Sequence, residues 1–378
     1  MSDLVLRARH VLLDGELGAA DIGVTGGLID EIAGHGTGSG AEVLDWHDGI
    51  VSPGLIDLQC NGAAGMDLTA DPSRLLDVAA ALLPHGVTSW LPTVVTAPRS
   101  TRERAVTEFR SARGASGVPR PLGLHFEGPA LSPTHPGAHP PQLLAVPDEA
   151  ELDEWCRGDA VRMVTVAPEV DGVVPMIERL VGAGVLVSCG HTAMTPEDLH
   201  RAVDAGARYV THLFNAMSPF HHRRPGAIGA TLDSRDVVAG LICDGHHAAP
   251  AAIRLARTAL GPAHISLVSD ASAALDAAPG PMRLGTFEVE NTPTGPRLPD
   301  GTLAGSAIGI DDAVRNYRHM TGASVEEALA AATSTPADLL GRGDIGRIAV
   351  GARADVTLLD PDLRVDRTII GGDLAWKS

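Results

Sequence analysis

Lysine is almost missing from this chain of 378 residues: Lys377 is the only one. Arginine carries nearly all the positive charge, and 29 basic residues face 47 acidic ones, for a formal net charge of −18. Such a balance repels polyanions and argues against nucleic acid or an anionic membrane as a partner. Cysteine is scarce too. Cys60, Cys156, Cys189 and Cys243 are widely spaced with no CxxC pair, so in a chain of this size they read as reduced thiols of a cytosolic protein. No apolar run approaches the roughly 18 residues of a membrane-crossing helix. Met1 to Asp14 mixes Asp3, Arg7, Arg9 and His10 into its apolar residues and has no signal-peptide core. A cytoplasmic location is the expectation. Gly (43) and Pro (27) together make about 19%, below the disordered or collagenous range.

What is there suits a large core, with 44% hydrophobic and 20% charged residues. Short β-rich runs alternate with longer helical stretches. The runs are Leu55–Cys60, Val87–Val95, Leu122–Glu127, Val161–Val166, Val185–Cys189, Tyr209–Leu213, Val237–Cys243 and Ile265–Ser269. Most are almost continuously apolar, as parallel strands covered on both faces must be. Between them, Pro72–Leu83, Arg99–Arg113, Pro175–Ala183, Pro196–Ala205 and Pro250–Leu260 carry apolar residues at three- and four-residue spacing. Several open on Pro near the first helical position and close on Gly, as at Gly86, Gly184, Gly206 and Gly261. Eight strands alternating with helices predict a TIM-like (β/α)8 barrel rather than an open doubly wound sheet. No GxGxxG follows the first strand, which also disfavours a dinucleotide fold.

The chain ends depart from that pattern. Leu4–Leu13, Asp21–Val24 and Leu28–Ile32 near one end, and Asp355–Leu359 and Arg367–Ile370 near the other, read as short strands with glycine turns. Each end is too short for a good core alone. The expectation is one small β-sandwich domain from residues 1–52 and 343–378, beside a catalytic barrel over 53–342.

Barrel enzymes carry their chemistry at the C-terminal ends of the strands, and ionisable residues gather there. Glu127 ends the third strand, His191 follows the fifth, His212 lies in the sixth, and Asp270 ends the eighth. Two histidines and a glutamate from three strand ends supply three ligands to one divalent cation with a position left for water, and Asp270 is placed to take that water's proton. The bland alternative is that each histidine is a hydrogen-bonded core residue. An apolar run ending in a carboxylate without a partner is costly, however, and favours the metal reading. Asp57, Asp244 and His125 either orient a ligand or bond to loop backbone. Cys60, Cys189 and Cys243 lie near the same rim without a motif and read as small apolar fillers. The run Ser218–Gly226 beyond the sixth strand holds His221, His222, Arg223 and Arg224. In so acidic a chain it is either an anion site, since the Arg fork matches phosphate oxygens, or a solvated loop. No Ser or Cys nucleophile motif is present.

At these positions the sequence resembles the N-acetylglucosamine-6-phosphate deacetylases of the amidohydrolase superfamily, over essentially the whole chain. The segments that carry the resemblance are PGLIDLQCNG (Pro53–Gly62), GLHFEGP (Gly123–Pro129), GAH (Gly137–His139), GHT (Gly190–Thr192) and THLFNAM (Thr211–Met217). They continue with RRPG (Arg223–Gly226), DGHH (Asp244–His247), VSDA (Val268–Ala271), GTLAGS (Gly301–Ser306) and GRIAVGARADVTLLD (Gly346–Asp360). The resemblance implies hydrolysis of N-acetyl-D-glucosamine 6-phosphate to D-glucosamine 6-phosphate and acetate, in amino-sugar catabolism and recycling. It makes Glu127, His191 and His212 the metal ligands and Asp270 the catalytic base and acid. His139 polarises the acetamide carbonyl. Asn215 and Ala216 through their backbone, with Arg223 and His247, hold the phosphate, partly across the interface of a homodimer. Gln59 and Asn61 replace the superfamily's His-x-His pair, which implies one metal ion per chain, zinc first with iron or manganese as alternatives, and sets both residues among those that bind substrate.

Local departures are Ala130 where the family has an aromatic, His135-Pro136 before GAH, and Arg224 where an acidic residue is usual. The near rival is another amidohydrolase, acting on a different N-acyl amino sugar or a cyclic amide. Cyclic-amide hydrolases of this superfamily use a carboxylated lysine as a metal bridge, and with Lys377 as its only lysine the chain has none to offer from a barrel strand. A non-catalytic scaffold is the rival from another class, but it has no physical need for the set Glu127, His191, His212 and Asp270.

Overall fold

The computed structural model describes residues 2–378. Eight strands pair in parallel around a nearly closed barrel: β1 (Leu55–Cys60), β2 (Val87–Val95), β3 (Leu124–Glu127), β4 (Val161–Val166), β5 (Leu186–Cys189), β6 (Tyr209–Val210), β7 (Val238–Leu241) and β8 (Ile265–Leu267). Each pairs with the next in chain order. Closure between β8 and β1 is made beyond the end of β8, where Asp270 N–H donates to the Gln59 carbonyl at 2.9 Å and Asn61 N–H to that of Ala271 at 2.7 Å. All nine residues of β2 are buried, its apolar residues together with Thr88, Ser89 and Thr93, as a strand covered on both faces requires.

Helices wrap the barrel for reasons visible in their ends. In Pro196–Asp204 the Thr195 hydroxyl and the Asp198 carboxylate form a reciprocal capping box with Pro at the first position. Pro250–Leu260 buries Ile253, Ala256 and Leu260 at three- and four-residue spacing. Three expected strands end early. β6 stops at Val210 rather than Leu213, β7 at Leu241 rather than Cys243, and β8 at Leu267 rather than Ser269; beyond β6 and β8 the backbone turns to φ of +26° at His212 and +47° at Asp270. Apolar pattern continues there, but the ladder does not.

The chain ends build a second sheet of eight strands. Its order is Asp373–Lys377, Val365–Ile370, Val356–Leu359, Ile50–Pro53, Ser2–Leu13, Glu16–Thr25 and Leu28–Gly34, with Gly40–Trp46 also on Ser2–Leu13. It has its own apolar cluster, including Leu6, Ile22, Val51, Val356 and Ile369. Hydroxyls of Thr357 and Thr368 tie it to the barrel by donating to the carbonyls of Gly86 and Leu83, both at 2.7 Å. Among the described residues no helix is long and apolar enough to cross a membrane. The strands Gly40–Trp46, Ile50–Pro53 and Asp373–Lys377 escaped the sequence pattern, and so did a three-stranded antiparallel meander, Gly280–Leu284, Phe287–Thr292 and Gly295–Arg297, which follows β8 and folds back over the barrel mouth.

Candidate active site

The C-terminal ends of the strands open onto a cavity of about 300 Å³ lined by Asn61, Val95, Glu127, His139, His191, His212, Asn215, Ala216, His247 and Asp270, with Leu284, Thr302, Leu303 and Gly305 reaching in from the meander and the segment behind it. A larger cavity of about 840 Å³ lies at the opposite end, near the starts of β5, β7 and β8. Its two arginines are engaged, Arg208 with the carbonyls of Val203 and Ala207 and Arg235 with that of Ala259. The smaller cavity is the one where ionisable groups converge.

At its floor, Glu127 Oε1 lies 2.9 Å from His212 Nε2 and 3.3 Å from His191 Nε2, and the two imidazole nitrogens are 3.1 Å apart. His139 Nε2 is 3.6 Å from Glu127 Oε2. Tetrahedral bonds of about 2.0–2.1 Å to one ion separate neighbouring ligand atoms by roughly 3.3 Å, so this triangle has the size of a metal site. His191 Nδ1 faces the His135 carbonyl at 3.3 Å, which leaves its Nε2 lone pair aimed inward. Two imidazole nitrogens in contact with each other and one carboxylate oxygen have little to gain from mutual hydrogen bonding and much from a shared cation. The donor set fits a divalent ion.

Electrostatics follow from the burial of all these groups. Burial alone would raise the Glu127 carboxyl, but the bonds to His139, His191 and His212 outweigh it and hold the group well below the usual carboxylate range. Burial, joined by the charge of His139, pushes the His191 imidazole down to about 4. For His212 the contact with Glu127 overcomes burial and raises it. Burial and the nearby Glu127 charge push Asp270 up to about 7.

Asp270 is held by its neighbours. Asn61 Nδ2 donates to its Oδ1 at 2.8 Å and Gln59 Nε2 at 3.1 Å, while Gln59 Nε2 also reaches Glu127 Oε1 at 2.9 Å and its Oε1 accepts from the Thr211 hydroxyl. Gln59 therefore ties the two carboxylates together from behind the cavity wall, whereas Asn61 lines the cavity and keeps a buried Oδ1 without a partner. His191, His212 and Asp270 all sit at positive φ, +48°, +26° and +47°, a region few non-glycine residues adopt. Such strain persists only where surrounding structure over-determines it, and it gathers at functional sites.

The other expected residues divide. His139 is fixed through Nδ1 by the Thr96 hydroxyl at 2.9 Å. His247 is locked by Asp244, whose carboxylate lies 2.6 Å from Nδ1 and also accepts the His246 and His247 amides. Asn215 and Ala216 line the cavity, the Asn215 amide donating to the His212 carbonyl at 3.0 Å. Arg223 does not reach the cavity within this chain: its loop is exposed and turns on itself through reciprocal His221 and Arg224 bonds. Asp57, pushed up to about 6 by burial, binds the Ser269 hydroxyl and the Gln59 amide beside the site. His125 is bonded on both ring nitrogens by Thr93 and Thr165. Cys60, Cys189 and Cys243 are buried with their thiols raised, first by burial, as fillers would be. Sequence reasoning gave no role to Thr96, Thr211, Val95 or the meander residues; Thr211 lies in the THLFNAM segment, but Thr96, Val95 and Leu284 belong to no residue type or pattern that marks a site.

A model of the amidohydrolase family matches residues 50–375. The N-acetylglucosamine-6-phosphate deacetylase of Homo sapiens is 38% identical over 387 residues, covering 98% of this chain and 94% of that protein. The N-acetylgalactosamine-6-phosphate deacetylase of Escherichia coli O157:H7 is also 38% identical, over 378 residues, covering 98% and 99%. Among solved structures, a mutant N-acetyl-D-glucosamine-6-phosphate deacetylase of Mycobacterium smegmatis in complex with N-acetyl-D-glucosamine-6-phosphate superposes with a TM-score of 0.92 at 32% identity, covering 99% of this chain and 100% of that one.

Proposed function

Since the chain belongs to the amidohydrolase family, among its N-acetylglucosamine-6-phosphate deacetylases, we propose that it hydrolyses the acetamide of an N-acetyl amino sugar 6-phosphate to acetate and the free amine, in amino-sugar catabolism in the cytoplasm. The observation that carries this reading is the convergence of Glu127, His191 and His212 within 3.3 Å of one another beneath Asp270 and His139.

Glu127, His191 and His212 would hold one divalent ion, with zinc as first choice and iron or manganese as alternatives for an imidazole–carboxylate set. Bound there, such an ion polarises a carbonyl and lowers the pKa of water from 15.7 towards about 7. Asp270 accepts the proton of the attacking water and delivers it to the sugar nitrogen as the C–N bond breaks, so the leaving group departs as a neutral amine. His139 Nε2, oriented by Thr96, faces the carbonyl oxygen and stabilises the charge that develops on it; one such donor is worth roughly 3–4 kcal/mol in other enzymes. Gln59 and Asn61 keep Asp270 in register with the carbonyl carbon.

The backbone at Asn215 and Ala216, together with His247, takes the phosphate. Arg223 completes that site from the neighbouring subunit of a homodimer, which accounts for its exposure in a single chain. Relatives acting on glucosamine and galactosamine epimers are equally similar, so both epimers belong in the assay. Acetate release from N-acetylglucosamine 6-phosphate, its galactosamine epimer and unphosphorylated N-acetylglucosamine, with and without chelator, tests the proposal. Chelator-sensitive turnover of a 6-phosphate well above that of the free sugar is expected. Turnover unaffected by complete metal removal, or none on either phosphate, would refute it.

A further inference from the structure

We propose that Val95 and Leu284 form the wall that limits the length of the acyl group this enzyme removes, an inference that rests on the deacetylase reading above. Val95 ends β2 as the register partner of Glu127 on β3, so both side chains leave the sheet on the same face, into the cavity. It is only 6% exposed, yet among the described residues it joins none of the apolar clusters that make up the core. Its methyl groups look onto the cavity instead.

The first turn of the meander is seated on this residue. Leu284 closes the strand Gly280–Leu284 and Gly285 follows at φ +54°. A Cβ on Gly285 would stand 3.8 Å from Val95 Cγ2 and 3.1 Å from Thr69 Cγ2, so the turn lies directly over the end of β2. The buried Asp67 carboxylate fixes the turn there by accepting the Gly285 amide, and, two residues on, the Thr69 hydroxyl holds the end of β2 by accepting the Val95 amide at 3.0 Å. Leu284 is buried among Val289, Ala304 and Ala138 and still lines the cavity. The wall is apolar and anchored.

Substrate geometry directs the acyl group to it. The scissile carbonyl must lie against Glu127 and His139, and the acetyl methyl is one bond from the reacting carbon. In a hexosamine 6-phosphate the acetamide on C2 and the phosphate on C6 project from opposite sides of the ring. With the phosphate towards Ala216 and His247, beyond β6 and β7, the acetamide points back across the mouth towards β2. There the methyl, the one apolar end of the substrate, meets Val95 and Leu284. A longer acyl chain meets a wall that cannot retreat, and a methylene in such a pocket discriminates by about 10- to 200-fold.

The test compares kcat/KM for N-acetyl-, N-propionyl- and N-butyrylglucosamine 6-phosphate in the metal-loaded wild type and in the Val95→Ala, Val95→Leu and Leu284→Ala variants. Wild type should prefer acetyl to butyryl by at least about 10-fold. Val95→Ala and Leu284→Ala should each raise the butyryl-to-acetyl ratio about 10-fold or more, and Val95→Leu should lower the propionyl-to-acetyl ratio. Ratios unchanged in all three variants, whatever the absolute rates, would overturn the wall. An inactive wild type would instead refute the deacetylase reading, so the two failures are distinguishable. Because Val95 stands outside the apolar clusters, its variants keep the test decisive if Leu284→Ala disturbs the meander.

Discussion

Replacing His85 by glutamine tests an electrostatic latch that ties the segment beyond Asp270 to the barrel. The ring is bracketed by two carboxylates: Nδ1 lies 2.8 Å from Asp311 Oδ1 and Nε2 lies 2.9 Å from Asp276 Oδ2. Asp311 opens the helix Ile310–Thr321, and Asp276 follows Asp270 by six residues. Burial would lower the imidazole pKa, but the bonds to Asp276 and Asp311 outweigh it and push the group up to about 10. A folded-state pKa above the ordinary value of about 6.5 means that the fold binds the proton more tightly than the unfolded chain does. The stabilisation is therefore complete below about pH 6.5 and drains away as pH rises through about 10.

One pH unit of difference corresponds to about 1.4 kcal/mol, so the latch has a ceiling of about 5 kcal/mol. Two features reduce it. The Asp276 side chain is 49% exposed, where water screens its charge, and Asp311 has a second cation in Arg315 at 2.8 Å. About 2 kcal/mol is the expected loss for His85→Gln near pH 7, or about 2–4 °C in Tm. Thermal melts of the metal-loaded wild type and variant at pH 6, 8 and 10 provide the assay, with their difference removing the titration of other groups. The difference should be largest at pH 6 and approach zero above pH 10. A gap of constant size across that range would show that His85 contributes packing alone.

Asp270→Asn keeps the shape but removes the proton acceptor, so turnover should fall at least 10²-fold while elemental analysis still finds metal; near wild-type turnover would contradict its role. Glu127→Gln removes the only charged ligand and should lose both metal and activity, against about one ion per wild-type chain; full occupancy with normal turnover would sink the ligand set, and two well-occupied ions near Gln59 and Glu127 by anomalous scattering would contradict the single-metal assignment. Gly137→Ala should weaken metal affinity by about 10-fold or more in a chelator competition, because Gly137 sits at φ +55° and a Cβ there would approach His191 Cε1 to 2.9 Å. Arg223→Ala should lower kcat/KM for the 6-phosphate about 10²-fold, consistent with losing a charge-assisted contact of about 1.5–3 kcal/mol, and scarcely change any activity on unphosphorylated sugar; equal loss on both would make Arg223 a structural residue.

The barrel was legible because parallel strands buried on both faces need predominantly apolar, β-branched runs, and eight such runs alternate with helical stretches along the chain. Helix starts were legible where a cap advertises them, as at Thr195-Pro196. The meander was not. Its strands carry Arg283, Glu288 and Glu290 on an exposed face, and its small core of Leu284, Val289 and Ala304 is completed by Ala138, far away in sequence. At the site, Glu127, His191, His212 and Asp270 stood out because an ionisable residue at the end of an apolar run needs a partner. Val95 ends a strand and Thr96 and Thr211 each stand just beyond one, and only long-range packing gives them work. Arg223 shows the converse: a conspicuous local charge cluster says nothing about which cavity it faces, and within this chain it lines no part of the candidate site.

Holding three side chains at positive φ costs about 1–3 kcal/mol each, and the surroundings show what offsets it at Asp270. Its amide donates to Gln59, its carbonyl accepts from Ser306 at 2.7 Å, and the adjoining Ser269 is bonded through its hydroxyl to Asp57. The segment that closes the barrel is thus the segment that aims the Asp270 carboxylate into the cavity, so barrel closure and site geometry are one constraint. Four buried carboxylates surround the mouth, and their partners differ. Asp57 is met by a hydroxyl and backbone amides, Asp244 by His247 and amides, and Asp270 by the amides of Asn61 and Gln59. Glu127 alone faces a cluster of three imidazoles, two of them with Nε2 atoms turned towards each other at 3.1 Å. In a chain of net charge −18, that is the point where the side chains leave negative charge and inward lone pairs together, and where a cation lowers the energy of every group around it.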